Sequence, residues 1–431
     1  MSRRRVVNQV RVERSARVKQ LEGMFDLAPT KQSRVSWQVS LPTFEKPWRI
    51  GLIHGPSGCG KSTIARELFG PHLVGGYEWS PTAAVVDGFP ENMSIKQITG
   101  LLSSVGFSSP PAWLRPFQCL SNGEQFRTTV ARALADPQDL VVIDEFTSVV
   151  DRTVARIGSA AVAKTVRGLP TKKFVAVACH DDIIEWLQPD WTYEPHTGEF
   201  RWRSLQRRPA IQVEIYRCSA AAWRMFAHHH YLSADLSHAA ECWLATVEQR
   251  PAVFAAVINH RGQNEDCRRE HRIVCLPDFQ GVGLGSAVSE AIAAIYTGLG
   301  FTFYSRSGHP AMIHHRTRSK SWRLCGSISA LSCPKQKGKF RKTESFGRLS
   351  ASFAYVGPEV SPGVGQRVRD VDFTGVIDQF PNRTAERYCQ ILGVSFATFH
   401  KWWQRAGTSS RVERLGNGGR LDPFTYRVRH G

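Results

Sequence analysis

The stretch Trp48-Arg-Ile-Gly-Leu-Ile-His-Gly55-Pro-Ser-Gly-Cys-Gly-Lys61-Ser62-Thr63 decides the fold of the first part of the chain. Residues 48–53 form a short apolar run suited to a buried strand, and a helix is expected over Ile64–Leu68. Between them, Gly55–Thr63 fits G-x-x-x-x-G-K-[ST] in full, in the strand–turn–helix context the motif requires. Here the backbone N–H groups of Gly55, Ser57, Gly58 and Gly60 turn inward around phosphate oxygens. The helix N-terminus adds positive potential. Lys61 is placed to neutralise β/γ-phosphate charge, with Ser62 as a Mg²⁺ ligand beside Thr63.

Downstream, Asp139-Leu-Val-Val-Ile-Asp144-Glu145 is an apolar strand ending in two carboxylates. Asp144 is expected in the Mg²⁺ shell, and Glu145 is placed to polarise an attacking water. Between this strand and the glycine loop lies Leu120-Ser121-Asn122-Gly123-Glu124-Gln125. This segment resembles the signature motif of ABC-type ATPases, with Asn122 replacing the usual Gly. Ser148-Val-Val-Asp151 resembles the D-loop of that family, and His180, after the strand Phe174–Cys179, resembles its switch histidine.

The resemblance covers roughly residues 30–200. It implies ATP as the nucleotide and catalytic roles for Glu145 and His180. It also implies that Ser121, Gly123 and Gln125 contact nucleotide held by a second cassette, and hence a head-to-tail homodimer. Two departures stand out. No clear Q-loop glutamine is present; Asp87 lies near its expected position, and Gln97 is a poor substitute. The segment between the glycine loop and the signature is also shorter than in transporter cassettes, which argues against a transporter role. Phe25 and Trp37 are the candidate adenine-stacking aromatics.

A second strand–turn–helix follows. His271-Arg-Ile-Val-Cys-Leu276 leads through Pro277-Asp-Phe to Gln280-Gly281-Val-Gly283-Leu-Gly285, and then to an amphipathic helix over Ala287–Leu299. This is again an anion-cradle geometry. The Q-x-x-G-x-G spacing of Gln280, Gly283 and Gly285, with Gly281 between, resembles the acetyl-CoA pyrophosphate loop of GNAT acyltransferases. The alternating segments Cys242–Val247 and Val253–Ile258, then Phe301–Tyr304, supply the strands such a domain needs. The resemblance implies acetyl-CoA or another acyl-CoA as cosubstrate. The acceptor amine needs a base, and His228, His229, His230, Glu241 and His309 are all open candidates.

Charge divides the chain in the same way. Residues 46–200 carry 14 Lys+Arg against 16 Asp+Glu, and the rest carries 42 against 21, for a net charge of +19. Such asymmetry points to an acidic partner, of which nucleic acid is the usual one. Residues 306–348 hold eleven Lys+Arg and one acid, Glu344, interleaved with Trp322, Phe340 and Phe346, a mixture suited to gripping phosphates and stacking bases. Thr384–Arg405 resembles a helix-turn-helix, with Gly393 in the turn and Thr398, Lys401, Gln404 and Arg405 exposed on its second helix.

No apolar run approaches the roughly 20 residues needed to span a bilayer. The N-terminus lacks the apolar core of a signal peptide, and the ten cysteines are scattered without a CxxC pair. A cytoplasmic protein without membrane attachment is therefore expected.

The expected fold class is α/β: a P-loop ABC-type ATPase domain, a GNAT-like mixed α/β acyltransferase domain and a small helical C-terminal tail. The domain reading is a basic N-terminal arm at 1–30, the ATPase at 31–205, the acyltransferase at 206–357 and a basic C-terminal region at 358–431. This order resembles an archaeal, bacterial and phage family that fuses an ABC-type ATPase to a GNAT-like N-acyltransferase. It implies ATP hydrolysis coupled to acyl transfer onto DNA or RNA. The alternatives are a nucleic-acid-binding ATPase switch with a non-catalytic acyl-CoA sensor, and a protein or small-molecule acetyltransferase.

Overall fold

The computed structural model describes residues 4–29, 31–41, 45–203, 208–231, 235–260, 266–330 and 349–364, with short stretches at 383–384, 403, 412–415 and 425–428. The chain forms two compact units. The first comprises Met1–Ser108 and Leu114–Ala210, the second Ser109–Trp113 and Ile211–Gly431. Among the described residues, no helix is long and apolar enough to cross a membrane.

The N-terminal segment is more ordered than its composition suggests. Strand β1 (Arg4–Arg11) pairs antiparallel with β2 (Gln32–Val39), and helix α1 (Ala16–Met24) lies between them in sequence. The expected arm at 1–30 is thus largely a strand and a helix. Val6 and Val39, both buried, explain why: they join the core that also holds Ile53 and Ile64.

The main sheet of this unit has β3 (Ile50–His54) at its centre, in the order β4-β5-β3-β6-β7. Its other strands are β4 (Leu140–Ile143), β5 (Lys173–Ala178), β6 (Trp191–Glu194) and β7 (Glu199–Trp202). All pairs are parallel except β6 with β7. Every residue of β3 is buried, as expected for a central parallel strand covered on both faces. Gly51 is required there, because a Cβ would fall 2.1 Å from the Trp191 indole. Helices α2 (Lys61–Phe69), α3 (Ile95–Ser104), α5 (Asn122–Ala135), α6 (Arg152–Gly168) and the short α7 (Ile184–Leu187) complete the unit, and α4 (Pro110–Trp113) groups with the other one.

The second unit is built on a seven-stranded sheet of order β13-β14-β12-β11-β10-β9-β8. In chain order these are β8 (Glu214–Cys218), β9 (Glu241–Val247), β10 (Arg250–Asn259), β11 (Cys267–Cys275), β12 (Thr302–Ser307), β13 (Trp322–Ala330) and β14 (Leu349–Tyr355). The one parallel pair is β11 with β12, joined through α9 (Leu284–Gly298). Their register stops at Glu270↔Ser305, so the rest of β11 pairs only with β10 and a gap opens between the parallel strands. Helix α10 (Pro310–Arg318) follows β12, and the short α8 (Trp223–Phe226) follows β8.

Strand β11 begins four residues before the apolar run at His271. The charged triplet Arg268-Arg269-Glu270 hid its start. Arg268 lies 3.9 Å above the Phe301 ring, and Glu270 is buried in a polar network. The Glu270 carboxylate accepts from Ser289 of α9 (2.5 Å), Ser305 of β12 (2.8 Å) and the Arg316 guanidinium of α10 (3.0 Å). Arg316 also donates to Ser289 and Ser305 and lies 4.4 Å from the Trp322 ring.

Arg316 and Trp322 therefore serve the core, not the nucleic-acid grip read from the 306–348 run. Of that run, Phe340, Glu344 and Phe346 lie outside the described residues, as does the helix-turn-helix segment apart from Thr384 and Trp403. Three short strands, β15 (Arg383–Thr384), β16 (Val412–Leu415) and β17 (Thr425–Val428), form a small antiparallel sheet in the order β15-β17-β16, where the expectation was helical.

Removing one member of a buried ion pair leaves an uncompensated charge at a cost of about 3–5 kcal/mol, whereas an apolar replacement of both is often tolerated. Glu270→Ala is expected to destabilise the second unit by about that amount in urea denaturation. The Glu270→Leu/Arg316→Met double substitution should recover most of the loss.

Candidate functional sites

The glycine loop leaves β3 at His54 and enters α2 through Gly60, whose φ of +96° is a left-handed conformation that favours glycine. A Cβ at Gly60 would also lie 2.3 Å from the Trp37 indole. Trp37 thus packs directly on the loop, whereas Phe25, the other aromatic candidate, is 64% exposed at the end of α1. No side chain caps the first turn of α2, so its N–H groups remain available to an anion. Lys61 spans the loop, its Nζ donating to the carbonyls of Gly55 and Pro56 at 2.8 Å each. Uncapped amides, left-handed glycines and a cation spanning the loop fit a polyphosphate.

Parallel register brings the other expected groups to the same sheet edge. His54 of β3 pairs in register with Ala178 of β5, and Ile143 of β4 with Ala176. Asp144-Glu145 and Cys179-His180 therefore leave their strands beside the loop. Glu145 adopts φ +51°, a sparsely populated conformation for a residue with a side chain. It is held by its own N–H donating to Asp144 Oδ1 (2.9 Å) and by the next residue, Phe146. The Phe146 N–H donates to Val177 (2.8 Å), and its ring is buried against Phe126 and Phe174. The Glu145 side chain and His180 are exposed.

Sequence reasoning missed His54. Its imidazole is buried, with Nδ1 2.7 Å from Asp181 Oδ1 and Nε2 3.6 Å from Glu194 Oε1. It therefore ties the strand that feeds the glycine loop to the segment that follows His180. No spacing signal in the sequence marks this link.

The signature segment opens α5. Ser121 caps the helix in a reciprocal box with buried Glu124, while Ser121 and Asn122 remain exposed. Gln125 donates to the carbonyls of Phe117 (3.2 Å) and Leu120 (3.1 Å), which fixes the approach to the helix. The bonds of this segment are thus all local. Asp151 caps α6. Gln97 is spent as the N3 partner of Ser94 at the start of α3, and Asp87 lies in a 3-10 turn.

In the second unit, Gln280 is buried and donates to the carbonyl of Cys275 (2.7 Å), anchoring the turn to the end of β11. Gly281 and Gly283 have φ of +92° and +89°, and Gly283 opens α9 without a side-chain cap. A Cβ at Gly283 would meet nothing within 4 Å, whereas one at Gly285 would touch Cys275 at 3.6 Å. The constraint on Gly283 within the chain is therefore its backbone conformation.

The candidate bases separate. The Glu241 carboxylate accepts from Arg217 Nη1 (2.9 Å) and from the Tyr296 hydroxyl (2.6 Å), whose titration burial pushes up. That pairing suits a structural anchor. His230 is buried, stacked on Tyr231 and edge-on to Trp223. His309 precedes α10, its ring 6.0 Å from that of Tyr231. His228 and His229 lie ring to ring at 3.8 Å. Among the described residues, no group of three or more His, Cys, Asp or Glu side chains is arranged to hold a metal.

No family model matches the chain. The zinc import ATP-binding protein ZnuC of Pseudomonas aeruginosa, in two strains, is 26% identical over 222 residues, covering 44% of this chain and 78% of that protein. Among solved structures, the dimeric MJ0796, a bacterial ABC transporter cassette, matches 40% of this chain and 94% of its own, with 16% identity and a TM-score of 0.33. A bacterial Atm1-family ABC exporter with ATP bound matches 37% of this chain and 33% of its own, with 16% identity and a TM-score of 0.28. The similarity to ABC ATPase cassettes lies in the N-terminal ~40% of the chain.

One histidine outside the expected set carries a pH signature. Burial, then Arg272 and Arg269, push His271 down to about 4, and its Nε2 accepts from the Ser237 N–H (3.2 Å). The ordinary value is about 6.5, so the unfolded chain takes up the proton first as pH falls. The contribution to stability is complete above about pH 6.5 and is lost as pH falls toward 4. Urea midpoints measured across this window should decline, and His271→Gln should flatten the decline.

Proposed function

We propose that the chain is an ABC-type ATPase coupled to an acyl-CoA-dependent N-acyltransferase that modifies nucleic acid in the cytoplasm. The observation that carries the ATPase half is the convergence of the glycine loop, Asp144-Glu145 and His180 on one edge of a parallel sheet. In this reading Ser62 and Asp144 hold Mg²⁺. Lys61 exchanges the carbonyls of Gly55 and Pro56 for phosphate oxygens. Glu145, exposed and held by Phe146, takes a proton from water. The exposed Ser121-Asn122 edge of α5 serves a second copy, giving a head-to-tail homodimer that closes on ATP and opens after hydrolysis.

The acyltransferase half is supported by the second sheet. A mixed seven-stranded sheet, one parallel pair that separates past Glu270, and a left-handed glycine turn leading into α9 make a cleft with N–H donors at its mouth. Acyl-CoA, when bound, supplies the activated acyl group. The chain's own part is to hold the pyrophosphate on the amides of Gln280–Gly285 and to take the acceptor's proton near Tyr231, where His230 and His309 gather. The engagement of Glu241 with Arg217 and Tyr296 favours a second reading, a sensor that binds acyl-CoA without turnover. Labelled acetyl-CoA with separate pools of DNA, tRNA and protein distinguishes the two: labelled nucleic acid supports transfer, and bound but untransferred label supports sensing.

Glu145→Gln is expected to retain ATP binding, to lower hydrolysis by about 10²–10⁴-fold and to accumulate the ATP-bound dimer on gel filtration. Wild-type turnover in that variant would refute the assigned role. Gly283→Asp places a side chain at φ +89° and a negative charge beside the anion cradle. Calorimetry should show acetyl-CoA binding in the wild type and none in the variant, with ATP hydrolysis unchanged in both.

A further inference from the structure

The strands of the second sheet sort their charge between two faces. Glu270, Ser305 and Trp322 contact α9 or α10 through Ser289, Glu290 and Arg316. Successive side chains alternate, so Arg269, Arg306 and Arg323 emerge on the opposite face. Strands β10 to β14 contain a single carboxylate, Glu270, and it is turned away and matched by Arg316. A β-bulge at His271 brings Arg272, in register with Ala256, to the same face, so the opposite face receives four guanidinium groups and no acid from these strands.

Among the described residues of strands β10 to β14 no carboxylate lies on this face; Asp235, outside the sheet, favours only the Arg272 cation at its covered end. Arg269 is half-buried, and both burial and the nearby Arg306 work against its cation. Among the described residues, Arg306 donates to a neutral hydroxyl, that of Ser350 (3.0 Å). His260, its titration lowered by burial and by Arg269, lies with its ring 5.8 Å from that of Tyr304. Among the described residues, the apolar cover on this face lies over the other strands: Trp223 and Phe226 of α8 pack with Leu244, Phe254 and Val274 of β9, β10 and the end of β11. Like cations on a partly desolvated surface are a cost that a bound anion removes.

We propose that this half-face binds a single strand of nucleic acid, its phosphates on Arg269, Arg306 and Arg323 and a base against Tyr304. Extent favours a strand over a lone phosphoryl group. From β11 across β12 and β14 to β13 is three inter-strand steps, about 14 Å, which one phosphate does not span. The aromatic among the arginines matches the combination by which single strands are held. The inference rests on the nucleic-acid reading of the partner and locates it; it requires neither ATP hydrolysis nor acyl transfer.

The test is fluorescence anisotropy of the full chain with labelled single-stranded DNA and RNA oligonucleotides over a salt series. Arg306→Ala/Arg323→Ala should weaken binding at least about tenfold and make the log–log salt slope shallower by about 1.4, roughly 0.7 for each lost contact. The double lysine variant should restore most of the slope. ATP hydrolysis and acetyl-CoA binding should not change, which controls for folding. Wild-type affinity and slope in the alanine variant would overturn the assignment, as would tighter binding of duplex than of single strand. Equal competition by inorganic phosphate or a mononucleotide would reduce the face to a small-anion site and also overturn it. A wild type that binds strands but not acetyl-CoA would refute the acyltransferase reading and leave this one standing.

Discussion

The buried pair of Glu270 and Arg316 is the constraint on which the second unit depends. It sits at the last paired position of β11 and β12, and with Ser305 and Ser289 it joins two strands and two helices. Burying a carboxylate and a guanidinium is unfavourable unless their hydrogen-bonding capacity is filled, and here two serine hydroxyls help to fill it. The consequence is positional. The parallel strands are held together up to Glu270 and part beyond it, so the cleft proposed for acyl-CoA starts where this network ends. The same network turns the one carboxylate of strands β10 to β14 away from their far face. The proposed cleft and the proposed strand-binding face thus border the same buried pair.

In the first unit the comparable constraint is steric. The glycine loop must turn sharply and pass under Trp37, which only a residue without a Cβ allows at Gly60. Glu145 is forced into a left-handed conformation by the anchoring of Phe146 in the core. Both are local costs met by the surrounding packing, and both fall on the edge where nucleotide chemistry is proposed.

How much of this was legible in the sequence follows from where each signal lives. The glycine loop, the Asp144-Glu145 strand end and the Gln280–Gly285 turn are local patterns with fixed spacing, and the structure has each as strand, turn and helix. The start of β11 was hidden because a charged triplet looks like a loop until Glu270 finds Arg316, 46 residues away. The N-terminal strand was hidden for a related reason: β1 is stable only through pairing with β2, a contact that composition does not encode. Arg316 and Trp322 were misread as part of a basic, base-stacking run, since the sequence does not reveal which arginine turns inward. His54 gave no signal, because its partners Asp181 and Glu194 meet it only after the sheet has formed.

The imidazole of His54 also has a mechanical consequence. It belongs to the central strand, yet its nitrogens face carboxylates from the segment after β5 and from the last residue of β6. The loop after His180 is therefore sprung against the same strand that feeds the glycine turn, and the two cannot yield independently. A displacement of the segment after His180 would reach the base of the glycine loop through one hydrogen bond. Stiffness at this edge of the sheet is thus shared between elements more than a hundred residues apart in the chain.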